Sequence, residues 1–389
     1  MKNKELQHPI IVLFSLVSLS SFLGKMLISY LPPFPVISDS LTYIEIANGI
    51  REGVYLSIDG VYYSPGYPFF LSQIFSYFGS DPSTVYQVQF AVLGIVAFMA
   101  FQIARTYLKI PFYLSLMTAL IVILWPYMIL YSLLIMSAVP YTVVSLMAIF
   151  ITMKALSENK LRWFALSGIA FGIAALMRPV ALLLPFWLFG TGVLSTWFFN
   201  YRLPPIKNLI TSLLFFIIIV APWFTFKTIQ MYKVESTTAQ SSHVFDKAFI
   251  TLAYEIDRDP EASVYASDVV ISKFKNIFRF WNPGAGGYQA ELLTESKPEA
   301  KYLISIYKFG FFTLLALAFI SILIIPNYML VVLWSCILYV WMLHTVLFPY
   351  PRYTLPIIPL MLISAGFAVA NWRTIIENIK KMKLPAKPS

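Results

Sequence analysis

The sequence predicts an all-α polytopic membrane protein, a single domain over residues 1–389 with about ten transmembrane helices. Hydrophobic residues make up 59% of the chain and charged residues only 12%, which is more apolar than a soluble core of this length requires. Apolar runs of ~20 residues, the length that crosses a bilayer, recur along the chain. Cys336 is the single cysteine, which excludes an intramolecular disulfide.

Ten apolar stretches are predicted to be transmembrane helices. They are residues 9–31, 85–104, 112–132, 133–153, 163–178, 179–199, 208–227, 304–325, 328–347 and 353–371. The first follows Lys2 and Lys4, as the apolar part of a signal peptide would. Because it is long and has no convincing small-x-small cleavage site, we interpret it as a retained helix.

Positive charges concentrate at one set of helix ends. Short exported loops avoid Lys and Arg while cytoplasmic loops retain them, so this face is predicted to be cytoplasmic and to contain both termini. Its basic residues are Lys2, Lys4, Arg105, Lys109, Lys154, Lys160, Arg162, Arg202, Lys207, Arg373, Lys380, Lys381, Lys383 and Lys387. The protein is thus predicted in the plasma (inner) membrane, with a basic cytoplasmic tail over 372–389. This bias and attraction to an anionic leaflet account for the net charge of +10 without a nucleic-acid partner.

The opposite face carries two long loops, residues 32–84 and 228–303. The first is acidic and the second nearly balanced in charge, so the working surface is predicted to be extracytoplasmic. In the second loop, residues 267–284 place Phe278 and Trp281 on one face of a predicted surface helix, with basic residues on the other.

The first loop is predicted to contain two helices that do not cross the membrane. Apolar residues at helical spacing predict an amphipathic helix over about 40–52, with Ser38 or Asp39 as its N-cap, lying at the membrane surface. Residues 64–79 are apolar but too short to cross, which predicts a second interfacial or re-entrant helix. Pro82 is typical of the first position of the following span.

Three stretches occur together in a recognisable order. They are SDSLTYIEIANGIREG (38–53) with YYSPGYPFFL (62–71), then LSGIAFGIAALMRPVALLLP (166–185), then LHTVLFPYPRYTLPIIPLMLISAGFAV (343–369). These stretches resemble the membrane glycosyltransferases of the GT-C fold, and more narrowly the protein O-mannosyltransferase-like group that includes the lipid A aminoarabinose transferase. FKNIFRFWNP (274–283) is a weaker similarity.

The resemblance implies a hexosyl or pentosyl transferase that moves a sugar from a polyprenyl-phosphate donor to an acceptor hydroxyl on a glycan, lipid or protein. Transfer with inversion needs a carboxylate to take the proton from the attacking hydroxyl and a group that holds the departing phosphate. Asp39, in the acidic loop above the bilayer, is the predicted general base. Arg178 and Arg352, at the outer ends of spans, are predicted to bind the donor phosphate, because guanidinium pairs bidentately with phosphate.

Further candidates for substrate binding are Tyr43, Tyr62, Tyr63, Tyr67 and His344. Each candidate also has a structural interpretation. Asp39 as a helix cap is worth ~1 kcal/mol, arginines at span ends extend to lipid headgroups, and tyrosines form interfacial belts. No cluster of residues has the spacing of a metal site, so no cofactor is predicted, and a divalent ion shared between Asp39 and the phosphate has no support in the sequence.

Three positions depart from the family pattern. Protein O-mannosyltransferases carry an acidic pair where this chain has Asp39-Ser40, and relatives often have a glutamate where this chain reads Met136-Ser137-Ala138-Val139. Aminoarabinose transferases have a lysine near the proline-rich turn, where this chain reads Tyr63-Ser64-Pro65. The sequence therefore does not predict which sugar is transferred or which acceptor receives it.

Two other classes of function remain as alternatives. A lipid-linked sugar flippase or secondary transporter would have as many spans, but it should show two related halves with broken, charged helices near the midplane, and the sequence shows neither. A non-catalytic membrane scaffold would explain the spans, but not an acidic surface helix paired with two arginines at the same face.

Overall fold

The computed structural model describes residues 2–31, 36, 39–53, 63–199, 202–237, 275–276, 278, 280–281, 298–324, 327–346 and 351–383. Its α-helices are α1 (Lys2–Tyr30), α2 (Asp39–Arg51), α3 (Gly66–Phe78), α4 (Pro82–Thr106), α5 (Phe112–Leu124), α6 (Pro126–Ser132), α7 (Ala138–Glu158), α8 (Leu161–Met177), α9 (Leu184–Phe199), α10 (Ile206–Thr237), α11 (Pro298–Ile324), α12 (Tyr328–Val346), α13 (Ile358–Ala370) and α14 (Trp372–Lys383). Two 3₁₀ helices, Pro179–Ala181 and Pro351–Ile357, precede α9 and α13. These ranges contain no strand, and the predicted all-α membrane fold is confirmed.

Helices occupy all ten predicted spans. In the part of the chain that the structure describes, seven are long and apolar enough to cross a membrane, in α1, α4, α7, α9, α10, α12 and α13. The stretch 112–132 is instead a pair of helices, α5 and α6, bent by 51°. Trp125 at the bend is extended because the residue before a proline, here Pro126, is disfavoured in the helical region. The two remaining spans are shorter apolar helices, α8 and the Lys308–Ser321 part of α11.

Glycines allow neighbouring helices to pack with their backbones in contact. A Cβ atom on Gly168 of α8 would collide with the carbonyl oxygen of Ser212 in α10, and one on Gly94 of α4 would lie 2.6 Å from the Cα of Val17 in α1. In lipid there is no hydrophobic driving force between helices, so they associate through close van der Waals packing, which small residues allow. The α8–α10 contact fixes the helix that ends immediately before Arg178.

The two helices predicted in the first loop are both present. α2 begins at Asp39, one residue before the predicted start, while Ser38 lies outside the described residues. Gly53 adopts φ +75° after its end, a conformation that favours glycine. α3 follows, and Asp81 then accepts a hydrogen bond from the Ser83 amide at 3.2 Å, capping α4 where Pro82 begins it.

The helix predicted over 267–284 lies mostly outside the described residues. Within it, Lys275, Asn276 and Phe278 are helical, and Phe280 and Trp281 lie in a turn. The two side chains that were predicted to share one face differ in exposure: Phe278 is 68% exposed, whereas Trp281 is buried together with Phe280.

The predicted tail begins as a helix. α14 covers Trp372–Lys383, and Ile375 on it is buried. Residues 384–389 lie outside the described ranges.

Candidate functional site

A cavity of about 610 Å³ opens between first-loop residues, in α2 and just before α3, and the ends of α7, α8 and α12. We call it the site cavity. The predicted site residues in its lining are Asp39, Tyr43, Tyr63, Arg178 and His344. Candidates from the first loop, the middle and the end of the sequence are therefore brought together. Tyr62 and the side chain of Arg352 lie outside the described part of the structure, although Arg352 itself belongs to the 3₁₀ helix Pro351–Ile357 beside the cavity.

Asp39 provides the only carboxylate among the described residues that line the site cavity. It lies in the first turn of α2, where the helix dipole stabilises negative charge. The Tyr63 hydroxyl donates a hydrogen bond to its Oδ1 atom at 3.4 Å, longer than a typical O–H···O bond, so the contact orients the carboxylate weakly. Within the described ranges, no group of three or more His, Cys, Asp or Glu side chains could hold a metal ion.

Tyr43 connects the first loop to the start of α7. Its ring packs edge-to-face against Tyr63 and Tyr67, with centroids 5.3 and 4.8 Å away, and the Ser137 side chain lies near its hydroxyl. Burial raises the pKa of Tyr43 more than the nearby Arg178 charge lowers it. The hydroxyl therefore stays protonated at neutral pH and is able to donate a hydrogen bond.

Tyr67 lies behind the wall of the site cavity. Its side chain is fully buried, and its hydroxyl donates to Gln89 Oε1 at 3.2 Å. Gln89 Nε2 in turn donates to the carbonyl oxygens of Ser132 and Leu134, at 3.2 and 2.6 Å. Burial raises the pKa of Tyr67 well above its ordinary value. This geometry makes Tyr67 a link between α3, α4 and the connection from α6 to α7.

Arg178 occupies the junction between α8 and the following 3₁₀ helix. Its backbone is extended at φ −149° and ψ 130°, and its amide donates to Ala174 O at 2.9 Å. The guanidinium carbon lies 5.7 Å from the ring centroid of Tyr141 and 5.4 Å from that of Tyr353, which is within cation–π range. No described residue forms an ion pair with Arg178. The Arg178 side chain, which lies near the two rings, also lines the site cavity.

His344 belongs to an aromatic stack beside Arg178. Its ring is parallel to that of Tyr353 at 4.0 Å between centroids, and parallel to that of Phe280 at 6.1 Å. Sequence reasoning missed Tyr353, Tyr141 and Ser137. The available signal for Tyr353 was its position next to Arg352; no local pattern indicated that Tyr141 would meet Arg178.

Gly66 brings α3 into direct contact with the end of α8. A Cβ atom at this position would lie 2.9 Å from the carbonyl carbon and oxygen of Leu176 and from the Cα of Met177. Such distances require the backbone to move. The SPGYP turn therefore packs against the last turn of α8, immediately before Arg178.

Part of the sequence matches a family model described as dolichyl-phosphate-mannose-protein mannosyltransferase. The match covers residues 63–226, which is less than half of the chain; it includes Arg178 and begins after Asp39. A comparison with curated protein sequences gives no match.

The fold is similar to that of ArnT from Cupriavidus metallidurans. The ArnT crystal structure bound to undecaprenyl phosphate superposes with a TM-score of 0.61 at 14% identity, over 96% of this chain and 62% of that one. The apo structure gives a TM-score of 0.60 at 14% identity, over 98% and 66%. The chain thus spans less than two thirds of the length of ArnT. The family match and this superposition confirm the resemblance to GT-C membrane glycosyltransferases that the sequence motifs indicated.

Proposed function

We propose that the protein is a glycosyltransferase that uses the site cavity to move a sugar from a polyprenyl-phosphate donor to an acceptor hydroxyl. The observation that carries the proposal is the pairing of Asp39 and Arg178 in one cavity. A base and a phosphate-binding cation are the two groups that the reaction needs. The undecaprenyl phosphate bound to ArnT, which has a similar fold, supports a donor of that class.

The proposed reaction assigns each group one step. The acceptor hydroxyl gives its proton to the Asp39 carboxylate, and its oxygen forms a bond to the anomeric carbon of the sugar. The bond between that carbon and the phosphate oxygen breaks on the opposite face, so the configuration inverts. The phosphate leaves with the electron pair, and Arg178 and Arg352 stabilise the charge that develops there.

The aromatic residues of the cavity have supporting roles in this proposal. Tyr353 and Tyr141 hold the Arg178 guanidinium in place, and His344 braces Tyr353 through their stacked rings. Tyr43 and Tyr63 line the cavity beside Asp39, where a sugar hydroxyl would meet their phenol groups. In this proposal the lining determines which hexose or pentose the cavity accepts and which acceptor binds beside it.

The direct test is whether purified protein consumes donor. Undecaprenyl phosphate carrying a radiolabelled sugar, taken from a panel of hexoses and pentoses, is incubated with the protein in detergent. A transferase separates the label from the lipid for one member of the panel. A flippase or transporter in vesicles moves the labelled lipid intact, and a scaffold leaves it where it is; either result would refute the proposal.

The proposed orientation places the site cavity outside the cell, and cysteine labelling checks it. Cysteines introduced at Ser80 and Ser241 are expected to react with a membrane-impermeant reagent added to intact cells, and one at Ser389 only after lysis. Cys336 is buried at 2% exposure, so it gives little background. The reverse pattern would put the cavity on the cytoplasmic side and overturn the use of an extracytoplasmic donor.

Gly66→Ala is expected to lower turnover by roughly 10- to 100-fold, because a displacement of about 1 Å at a reacting group has effects of this size. The added methyl group pushes α3 from the last turn of α8 and displaces Arg178. Gly190→Ala is the matched control, since a Cβ atom there meets nothing within 4 Å. Donor cleavage at the parent rate by Gly66→Ala would show that the α3–α8 contact does not position the site.

A further inference from the structure

A second cavity, of about 300 Å³, lies between α8, α9, α10 and the start of α12. We call it the apolar cavity. Its lining is mainly aliphatic and aromatic, with the buried Phe164 and Phe171 on its inner side. Phe189 and Ile210 also line it and are 45% and 58% exposed. The cavity therefore opens to the outside of the bundle, which in a membrane is lipid.

Four hydroxyl groups in this lining, those of Thr152, Ser167, Thr191 and Ser195, have partners inside the protein. The side-chain oxygens of Thr152 and Ser167 lie 2.6 Å apart, and those of Thr191 and Ser335 lie 2.8 Å apart. Ser195 donates to the carbonyl oxygen of Thr191 at 2.7 Å. Water at ~30 Å³ per molecule would fill the space with roughly ten molecules that find few polar partners. The chemistry of the lining favours a hydrocarbon chain.

The apolar cavity lies in the opposite half of the bundle from the site cavity. α7 passes both of them, with Ser137 lining the site cavity and Thr152 lining the apolar cavity. Thr152 follows Ser137 by fifteen residues, a rise of about 22 Å at 1.5 Å per residue. A donor whose phosphate is held at Arg178 therefore has its headgroup in the other half of the bundle.

Two basic residues flank the apolar cavity. Arg202 and Lys207 border the lining residues Leu203 and Ile206 in the sequence, and both side chains are exposed. Neither forms an ion pair with a described residue, whereas Lys154 and Lys160 at the same end of the bundle both pair with Glu158. An anionic headgroup at the mouth of the cavity would supply the missing countercharge.

We propose that the apolar cavity binds an acyl chain of an anionic phospholipid whose phosphate contacts Arg202 and Lys207. The uncharged lining takes the chain and the two cations take the headgroup. The polyprenyl chain of a donor would bring no charge to this end of the bundle and would leave both cations unmatched. The site is independent of the proposed reaction and is tested without it.

Gly192 gives a way to fill the apolar cavity without disturbing the fold. It lies in the lining, and a Cβ atom there would make an ordinary contact, at 3.5 Å, with Leu203 Cδ2. In Gly192→Leu the rest of the side chain therefore enters the space that the acyl chain would occupy. Gly190→Leu is the matched control, because it adds the same side chain two residues earlier, where a Cβ atom meets nothing within 4 Å.

The test measures the unfolding temperature of the purified full chain in detergent as phosphatidylglycerol or phosphatidylcholine with the same acyl chains is added. Phosphatidylglycerol is expected to stabilise the protein at lower concentration. The Arg202→Gln and Lys207→Gln changes should each weaken its binding by about fivefold. Gly192→Leu should abolish the stabilisation, and Gly190→Leu should behave like the parent.

Three results would overturn the proposal. Equal stabilisation by phosphatidylglycerol and phosphatidylcholine would show that Arg202 and Lys207 do not bind the anionic headgroup. A Gly192→Leu variant that responds like the parent would mean that no chain enters the cavity. Stabilisation by uncharged undecaprenol that is lost in Gly192→Leu but unchanged by the two Gln substitutions would assign the cavity to a polyprenyl chain.

Discussion

Asp39→Asn is expected to lower turnover by ~100-fold or more, the size of effect that a positioned general base provides. Asparagine is as well tolerated as aspartate at the start of a helix, and its Oδ1 atom still accepts the hydrogen bond from Tyr63. The fold and the affinity for donor should therefore be retained while the proton acceptor is lost. The measurement is the rate of release of labelled sugar, with the unfolding temperature and donor binding followed in parallel.

Glu45→Gln is the matched control for this change. Glu45 is on the same helix and is exposed, but it does not line the site cavity, so its neutralisation should leave turnover unchanged. If both substitutions lower the rate equally, the charge of the loop is responsible and not a specific base. An Asp39→Asn variant with parental turnover would reduce Asp39 to a structural role in α2.

Arg178→Ala is expected to weaken the binding of undecaprenyl phosphate by roughly 10- to 100-fold, since a lost charge-assisted hydrogen bond costs about 1.5–3 kcal/mol. Arg178→Lys should lie between the alanine variant and the parent, because lysine keeps the charge but not the planar fork. Turnover should fall as well as affinity, because the phosphate gains negative charge as it leaves. We expect the same order of effects at Arg352.

Arg51→Ala separates a phosphate contact from a general effect of charge. Arg51 ends α2 near the same face, is exposed and hydrogen-bonds Asn48 at 3.3 Å, but it does not line the site cavity. Its removal should leave donor binding unchanged. Alanine variants of Arg178 and Arg352 that bind and turn over donor like the parent would mean that both arginines only contact lipid headgroups.

The helices could be predicted because their signals are local. Apolar length indicated the spans, and helical periodicity beside a proline-rich turn indicated α2 and α3. The bend at Trp125 was missed because the apolar run continues through it, and the helix-disrupting effect of Pro126 was outweighed by that length.

The site cavity was partly predictable, for a different reason. Asp39 and Arg178 belong to motifs that resemble those of a known family. The resemblance predicts that both residues lie in the site, without any knowledge of how the intervening helices pack. Tyr141 and Tyr353, whose rings hold Arg178, come from separate helices, and their proximity depends on how α7, α8 and the 3₁₀ helix after α12 pack. Sequence spacing contains no direct record of those packing distances.

The wall of the site cavity is made from distant parts of the chain, and this affects how the protein is made. His344 and Tyr353 are synthesised about 300 residues after Asp39. At ~5–20 residues per second, roughly 15–60 s pass between the synthesis of the carboxylate and that of the stacked rings opposite it. A nascent chain arrested before α12 contains Asp39 without the completed cavity wall. The site cavity is therefore completed only after α12 and the 3₁₀ helix that follows it have been synthesised.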